Sequence, residues 1–156
     1  MVIDMRYINM RYNVCLVLAL MLLTAGRTVA PVQAQSNEEQ VTAAKEAAAE
    51  WIELLDANDY QATWEQAASL LKSQVTADQW ANQIQQVHSQ FGELQERSLV
   101  AARYTTSLPN VPEGEYVIAQ YRAQYGNQTL IETATLMKDG DAWRVAGYFV
   151  RPENQG

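Results

Sequence analysis

Glu132 has the most unusual chemical setting in this chain. Counting by two through a candidate strand at Thr129–Lys138 places Leu130, Glu132, Ala134 and Leu136 on one face. A carboxylate among apolar neighbours is either desolvated and held neutral or paired with a cation. Desolvated, Glu132 would be the polar group of a pocket, a general acid or base or a ligand anchor. Paired with Arg97 or Arg122, it is half of a structural ion pair; a third arrangement turns it outward to solvent. A structural role, paired or turned outward, is preferred to the pocket, because structural networks also perturb carboxylates.

Arg97 shares its strand face with Leu99 and Ala101, so a guanidinium buried there needs a carboxylate. Its planar fork could alternatively grip an anionic ligand, with the structural pairing the leading reading. Tyr121 and Tyr125 share a face with Val117, Ala119 and Ala123, where the alanines leave room for a ligand or for bulky aromatic rings from elsewhere. Glu132, Arg97, Tyr121 and Tyr125 are therefore the candidate ligand-binding residues, and no catalytic residue is assigned. His88 is the only histidine and falls at the edge of a helical apolar stripe. No nucleophile or second base is spaced to work with it, so it reads as a partly exposed, hydrogen-bonded residue. Trp51, Trp64, Trp80 and Trp143 recur at helical and strand spacing and read as core. Glu113-Gly114-Glu115 reads as a solvated loop, and Asp139 and Asp141 as turn residues.

Composition removes several classes of function. A net charge of −7 argues against a nucleic-acid partner, which needs clustered cations to neutralise phosphates. Hydrophobic residues at 48% and charged ones at 19% describe a folding chain. The sequence contains no glycine-rich phosphate loop, Cys/His cluster or nucleophile elbow, so no cofactor and no metal is expected.

Residues 1–34 read as a secretory signal peptide. Arg6 and Arg11 precede an apolar run from Val14 to Ala25, and Val32-Gln33-Ala34 offers small side chains for cleavage after Ala34. The run is shorter than the roughly 20 residues a bilayer span needs, so no stable membrane insertion is expected after cleavage. Cleavage would remove Cys15, the only thiol, and leave a domain that must be stable from packing alone. The expected location is periplasmic or extracellular.

Residues 35–152 read as one domain, with 153–156 a polar end. Ser36 and Glu39 have the spacing of a capping box, and the helix after them places Val41, Ala44, Ala48, Trp51, Ile52 and Leu55 on one stripe. Asn58 suits its left-handed end. A second helix carries Tyr60, Trp64, Ala67, Ala68 and Leu71; a third, opened by the Thr76/Gln79 box, carries Ala77, Trp80, Ile84, Val87 and Phe91 and stops at Gly92. The period then changes to two, predicting strands at Leu94–Thr106, Tyr116–Tyr125, Thr129–Lys138 and Ala142–Arg151. Gly126-Asn127 and Asp139-Gly140 are the hairpin turns, the second with a type I′ signature. The fold class is α+β, three N-terminal helices packed on a curved four-stranded antiparallel sheet.

Several landmarks carry a resemblance to a known family. They are Trp51 through Leu55-Asp56, Tyr60 with Trp64, Trp80, Phe91-Gly92-Glu93-Leu94 with Arg97, Leu108-Pro109 and Pro112-Glu113-Gly114-Glu115-Tyr116. Glu132-Thr133-Ala134-Thr135-Leu136-Met137 and Trp143-Arg144-Val145-Ala146-Gly147-Tyr148 complete the set. From about Lys45 to Arg151 the chain resembles the family catalogued as domain of unknown function 4019, small exported bacterial proteins. Members often carry an Arg ahead of the Phe91-Gly92 region, where this chain has Val87-His88, so no role is carried over for that Arg. The element order is also similar to the nuclear transport factor 2-like cone fold. That fold hosts isomerases, dehydratases, ligand pockets and interaction modules, so the resemblance implies an architecture and not a chemistry.

The expectation is an exported, non-catalytic domain that binds a small apolar or amphipathic molecule or a protein partner, with a homodimer through the open sheet face as one form. The alternatives are an isomerase- or dehydratase-like acid/base enzyme using Glu132 and a structural domain associated with the cell envelope.

Overall fold

The computed structural model describes residues 32–126 and 128–153, with side chains from Ser36 onward. The expected signal peptide lies outside the described residues as far as Pro31, as do Asn127 of the first hairpin turn and residues 154–156 of the polar end. Helix α1 spans Val32–Asp56, α2 Tyr60–Glu65, α3 Ser69–Gln74 and α4 Ala77–His88. Strands β1 (Leu94–Thr105), β2 (Tyr116–Tyr125), β3 (Gln128–Asp139) and β4 (Ala142–Pro152) form one antiparallel sheet in the order β1-β2-β3-β4. The α+β class and the order of elements are those expected.

Helix α1 buries the predicted stripe. Ala44, Ala48, Trp51, Ile52 and Leu55 are buried, and Val41 packs against them. The two alanines let the helix axis come close to the sheet, and α1 touches all four strands. The helix begins upstream of Ser36, so the Ser36/Glu39 pair is an interior turn and not its start. Residues 32–35 contain no Gly or Pro to stop it. Its far end closes as a Schellman motif: Asn58 takes φ 59°, its N–H donates to Leu55 O, and the Asp59 N–H donates to Leu54 O.

The second expected helix is two short ones, because a bond to the sheet edge wins over helix continuation. Ala68 is extended at φ −65°, ψ 153°, and its N–H donates to Val145 O of edge strand β4 at 2.8 Å. Asp139, read from sequence as a turn residue alone, accepts the Ser69 N–H at 2.7 Å and so caps α3. That bond holds the Asp139 carboxyl below the usual carboxylate range. The Thr76/Gln79 capping box forms as expected and opens α4.

One face of the sheet receives the helices. Val117, Ala119, Tyr121, Ala123, Tyr125, Leu130, Glu132, Ala134 and Leu136 point into it and are buried. The opposite face carries Gln120, Arg122 and Gln124 and leaves Phe149 69% exposed. Strand β1 departs from strict alternation: a register shift between Leu99 and Ala101 leaves Arg97 facing Ala123 and Leu99 facing Tyr121, while Ala101 faces Gln120. The extra residue at Val100 thus moves Ala101 off the face of Arg97, and Ala102, opposite Ala119, takes the inner place. At the β3–β4 turn only Gly140 has positive φ (65°), the pattern of a II′ turn and not the expected I′.

Candidate functional site

The tryptophans are structural fasteners. Trp51 Nε1 donates to Thr63 O at 2.8 Å, and Trp80 Nε1 donates to Thr63 Oγ1 at 2.9 Å. Trp64 Nε1 donates to Val75 O and Trp143 Nε1 to Gln40 Oε1. Each indole therefore ties one element to another while its ring fills the interior. Ala119, with Trp51, Trp80 and Tyr148 in the same apolar cluster, marks where the space next to the small strand residues is occupied by rings of the protein itself. Thr63, fully buried as acceptor for two indoles, was invisible in the helical pattern, which assigned the stripe to Tyr60, Trp64 and Leu71.

Toward the tip of the β2–β3 hairpin the interior turns polar. Glu132 is fully buried, opposite Tyr121 on β2 and Val150 on β4. Its Oε2 accepts from Arg97 Nε at 2.6 Å, and its Oε1 accepts from the Tyr125 hydroxyl at 2.7 Å and from Arg97 Nη2 at 3.3 Å. Arg97 extends onward from the sheet to α1, with Nη1 and Nη2 donating to Asp56 at 2.5 and 2.9 Å. Nη2 also donates to the Tyr125 hydroxyl at 3.1 Å. The last turn of α1 has no basic residue of its own. The guanidinium of Arg97 supplies the positive charge that a helix C-terminus favours.

Glu132, Arg97 and Tyr125 are therefore brought together by hydrogen bonds. Tyr121 stands opposite Glu132 but belongs to the main apolar cluster. Arg122, the other cation considered for Glu132, instead pairs with Glu153 on the outer face at 2.8 Å. Burial opposes the charge on Arg97, but its bonds to Asp56 and Glu132 outweigh this and raise its pKa. Burial, and then the bond to Glu132, raise the Tyr125 phenol, so it stays a neutral donor to the carboxylate. Burial, and then the charge of Glu132, raise the Tyr148 phenol, whose buried hydroxyl lies near Glu132 without a well-formed hydrogen bond among the described residues.

Beside this network lies a cleft of about 820 Å³ between the end of α1, the start of α2, the end of α4 and the tip of β2. Asp56, Tyr60, His88, Glu93, Leu94 and Tyr125 are among its lining residues. His88 stands among tyrosine rings, with ring-centre distances of 6.1 Å to Tyr60, 6.3 Å to Tyr125 and 6.4 Å to Tyr148. Burial lowers the His88 pKa below the ordinary histidine value, against the nearby charges of Glu132 and Asp56. Sequence reasoning passes over Asp56 and Glu93, sets His88 aside as a catalytic base and reads Tyr60 as core. Asp56 reads simply as a helix end, and its partner Arg97 stands 41 residues away. Among the described residues no group of three His, Cys, Asp or Glu side chains could hold a metal ion.

Chemically, the network is saturated and the cleft is open. Both oxygens of Glu132 are occupied as acceptors and neither meets solvent, so taking a substrate proton would require dismantling the pair. The cleft is lined mainly by polar groups, with Leu55, Leu94 and aromatic rings among them, and has a volume common for small-molecule sites. No curated protein and no solved structure matches this chain. A family model described as a protein of unknown function, DUF4019, matches residues 47–148, and the chain belongs to that family.

Proposed function

We propose that this chain is an exported binding domain and not a catalyst, whose small amphipathic ligand sits in the cleft between Asp56, His88 and Tyr125. The observation that carries the proposal is the contrast between a locked carboxylate and an unfilled cleft beside it. Glu132, the residue an acid/base mechanism would need, is spent on Arg97 and Tyr125. The space next to Ala119, considered for an apolar ligand, is lined by a cluster rich in the protein's own rings. The end cleft offers carboxylate and amide groups beside Leu55, Leu94 and aromatic rings, which is the mixture an amphipathic molecule needs. Export through residues 1–34, with delivery to the periplasm or beyond, is part of the same proposal and rests on the order of charge, apolar run and cleavage site.

Native mass spectrometry of the protein recovered from an exporting host tests both parts. The expected result is a chain beginning at Gln35 that carries a reproducible bound mass, and Gln85→Trp, which fills the cleft from the exposed side of α4, loses that mass. A mass retained by Gln85→Trp, or a clean ligand-free spectrum, overturns the ligand assignment; a chain retaining residues 1–34 overturns export.

A second arrangement, a homodimer through the outer sheet face, is favoured by the exposure of Phe149 beside Thr133 on β3. Analytical ultracentrifugation of wild type and Phe149→Ser tests it. A dimer abolished by the substitution supports this arrangement, and a wild-type monomer rejects it.

A further inference from the structure

We infer that the ligand of the end cleft is an organic cation, a small molecule carrying a quaternary or tertiary ammonium group. This rests on the cleft being the ligand site and names the chemistry of what it takes. Three aromatic rings line the cleft: Tyr60, His88 and Tyr125. They follow one another at 6.1 and 6.3 Å with interplanar angles of 65° and 78°. Tyr60 and His88 are half-buried and reach this space, Tyr125 is buried at its inner wall, and the electron-rich face of a Tyr ring attracts an alkylated ammonium. Phe91 backs Tyr125 at 6.1 Å and limits how far that ring can turn.

Charge in the cleft points the same way. Asp56 and Glu93 are the carboxylates among its lining residues, and among the described residues no Lys or Arg lines it. The nearest guanidinium, Arg97, already donates through Nε, Nη1 and Nη2 and shares its single positive charge between Asp56 and Glu132. That leaves a surplus of negative charge at the cleft floor. Burial keeps His88 from becoming a competing cation near neutral pH. An anionic ligand would meet Asp56 and Glu93 with no free cation to receive it. A purely apolar one would leave both carboxylates unused.

Choline and its uncharged carbon isostere 3,3-dimethylbutan-1-ol separate the contributions of charge and shape. Titration of the full purified protein, followed by the NMR signals of Tyr60, His88 and Tyr125, should show saturable choline binding. The alcohol should bind at least about tenfold more weakly, and Tyr60→Leu and Glu93→Gln should each weaken choline about three- to tenfold. Glu93 is exposed, so its substitution tests the charge without disturbing the fold. Equal binding of choline and the alcohol overturns the cation assignment while leaving the cleft as the ligand site. So does preferential binding of 3,3-dimethylbutanoate. If no probe moves the three cleft residues and native spectra show no bound mass, the cleft itself fails as the ligand site.

Discussion

The two ends of the helix-covered sheet face solve the same packing problem by different means. Around Trp51 and Trp80 the helices are held by apolar rings whose indole N–H groups all find acceptors, and the groove of about 460 Å³ beside Trp80 and Tyr148 is mainly apolar. Around Tyr125 the apolar cluster shrinks to Ala123, Tyr125 and Leu130, with Phe91, Leu94 and Val150 packed against it. There the sheet is joined to α1 by Arg97, reaching from Glu132 to Asp56. An apolar contact fills space and is indifferent to direction, whereas an ion bridge fixes two elements at set atoms. The polar cleft lies at the bridged end and the apolar groove at the other.

Breaking the aromatic end should cost most. Trp51→Ala removes a buried ring and its hydrogen bond to Thr63 O, and a loss of about 3–5 kcal/mol in urea unfolding is expected. Arg97→Met strikes the other end. It leaves Glu132 buried without its cation, and the expected loss is about 3 kcal/mol. Asp56→Asn tests the outer half of the bridge alone. Its side chain is 37% exposed, so solvent screens the pair and a loss of about 1 kcal/mol or less is expected by the same measurement.

The smallest effect concerns pH. His88 has its folded pKa lowered by burial, so between that value and the unfolded value the unfolded chain binds more protons. Stability should therefore rise with pH through this window and fall as the pH drops from about 7.5 toward 5.5. Thermal unfolding across that range should show the slope in wild type and a flatter profile in His88→Gln. An unchanged slope would place the titration elsewhere.

Much of this division is written in local patterns. The stripe from Ala44 to Leu55 and the alternation through β2 and β3 name the inner face correctly, because period alone decides which side chains meet the core. Glu132 and Arg97 stand out for the same reason, being charges in apolar registers. What local pattern cannot carry is pairing across the chain. Asp56 joins Arg97, Thr63 serves Trp51 and Trp80, Asp139 caps α3, and Ala68 leaves its helix for Val145, and each depends on a partner whose position the fold sets. The bulge near Val100 is missed likewise, since one extra residue in β1 makes no break in composition. The cleft belongs to the same class, as its walls come from α1, α2, α4 and β2 together.

The central claim is that Glu132 is locked in a structural pair with Arg97 and is not a free acid or base. A double-mutant cycle on Arg97→Met and Glu132→Leu, read by urea unfolding at neutral pH, tests it most directly. The account predicts that the double variant is far more stable than the sum of the single losses allows, with a coupling of at least about 2 kcal/mol. Single losses that add to within about 0.5 kcal/mol would contradict it.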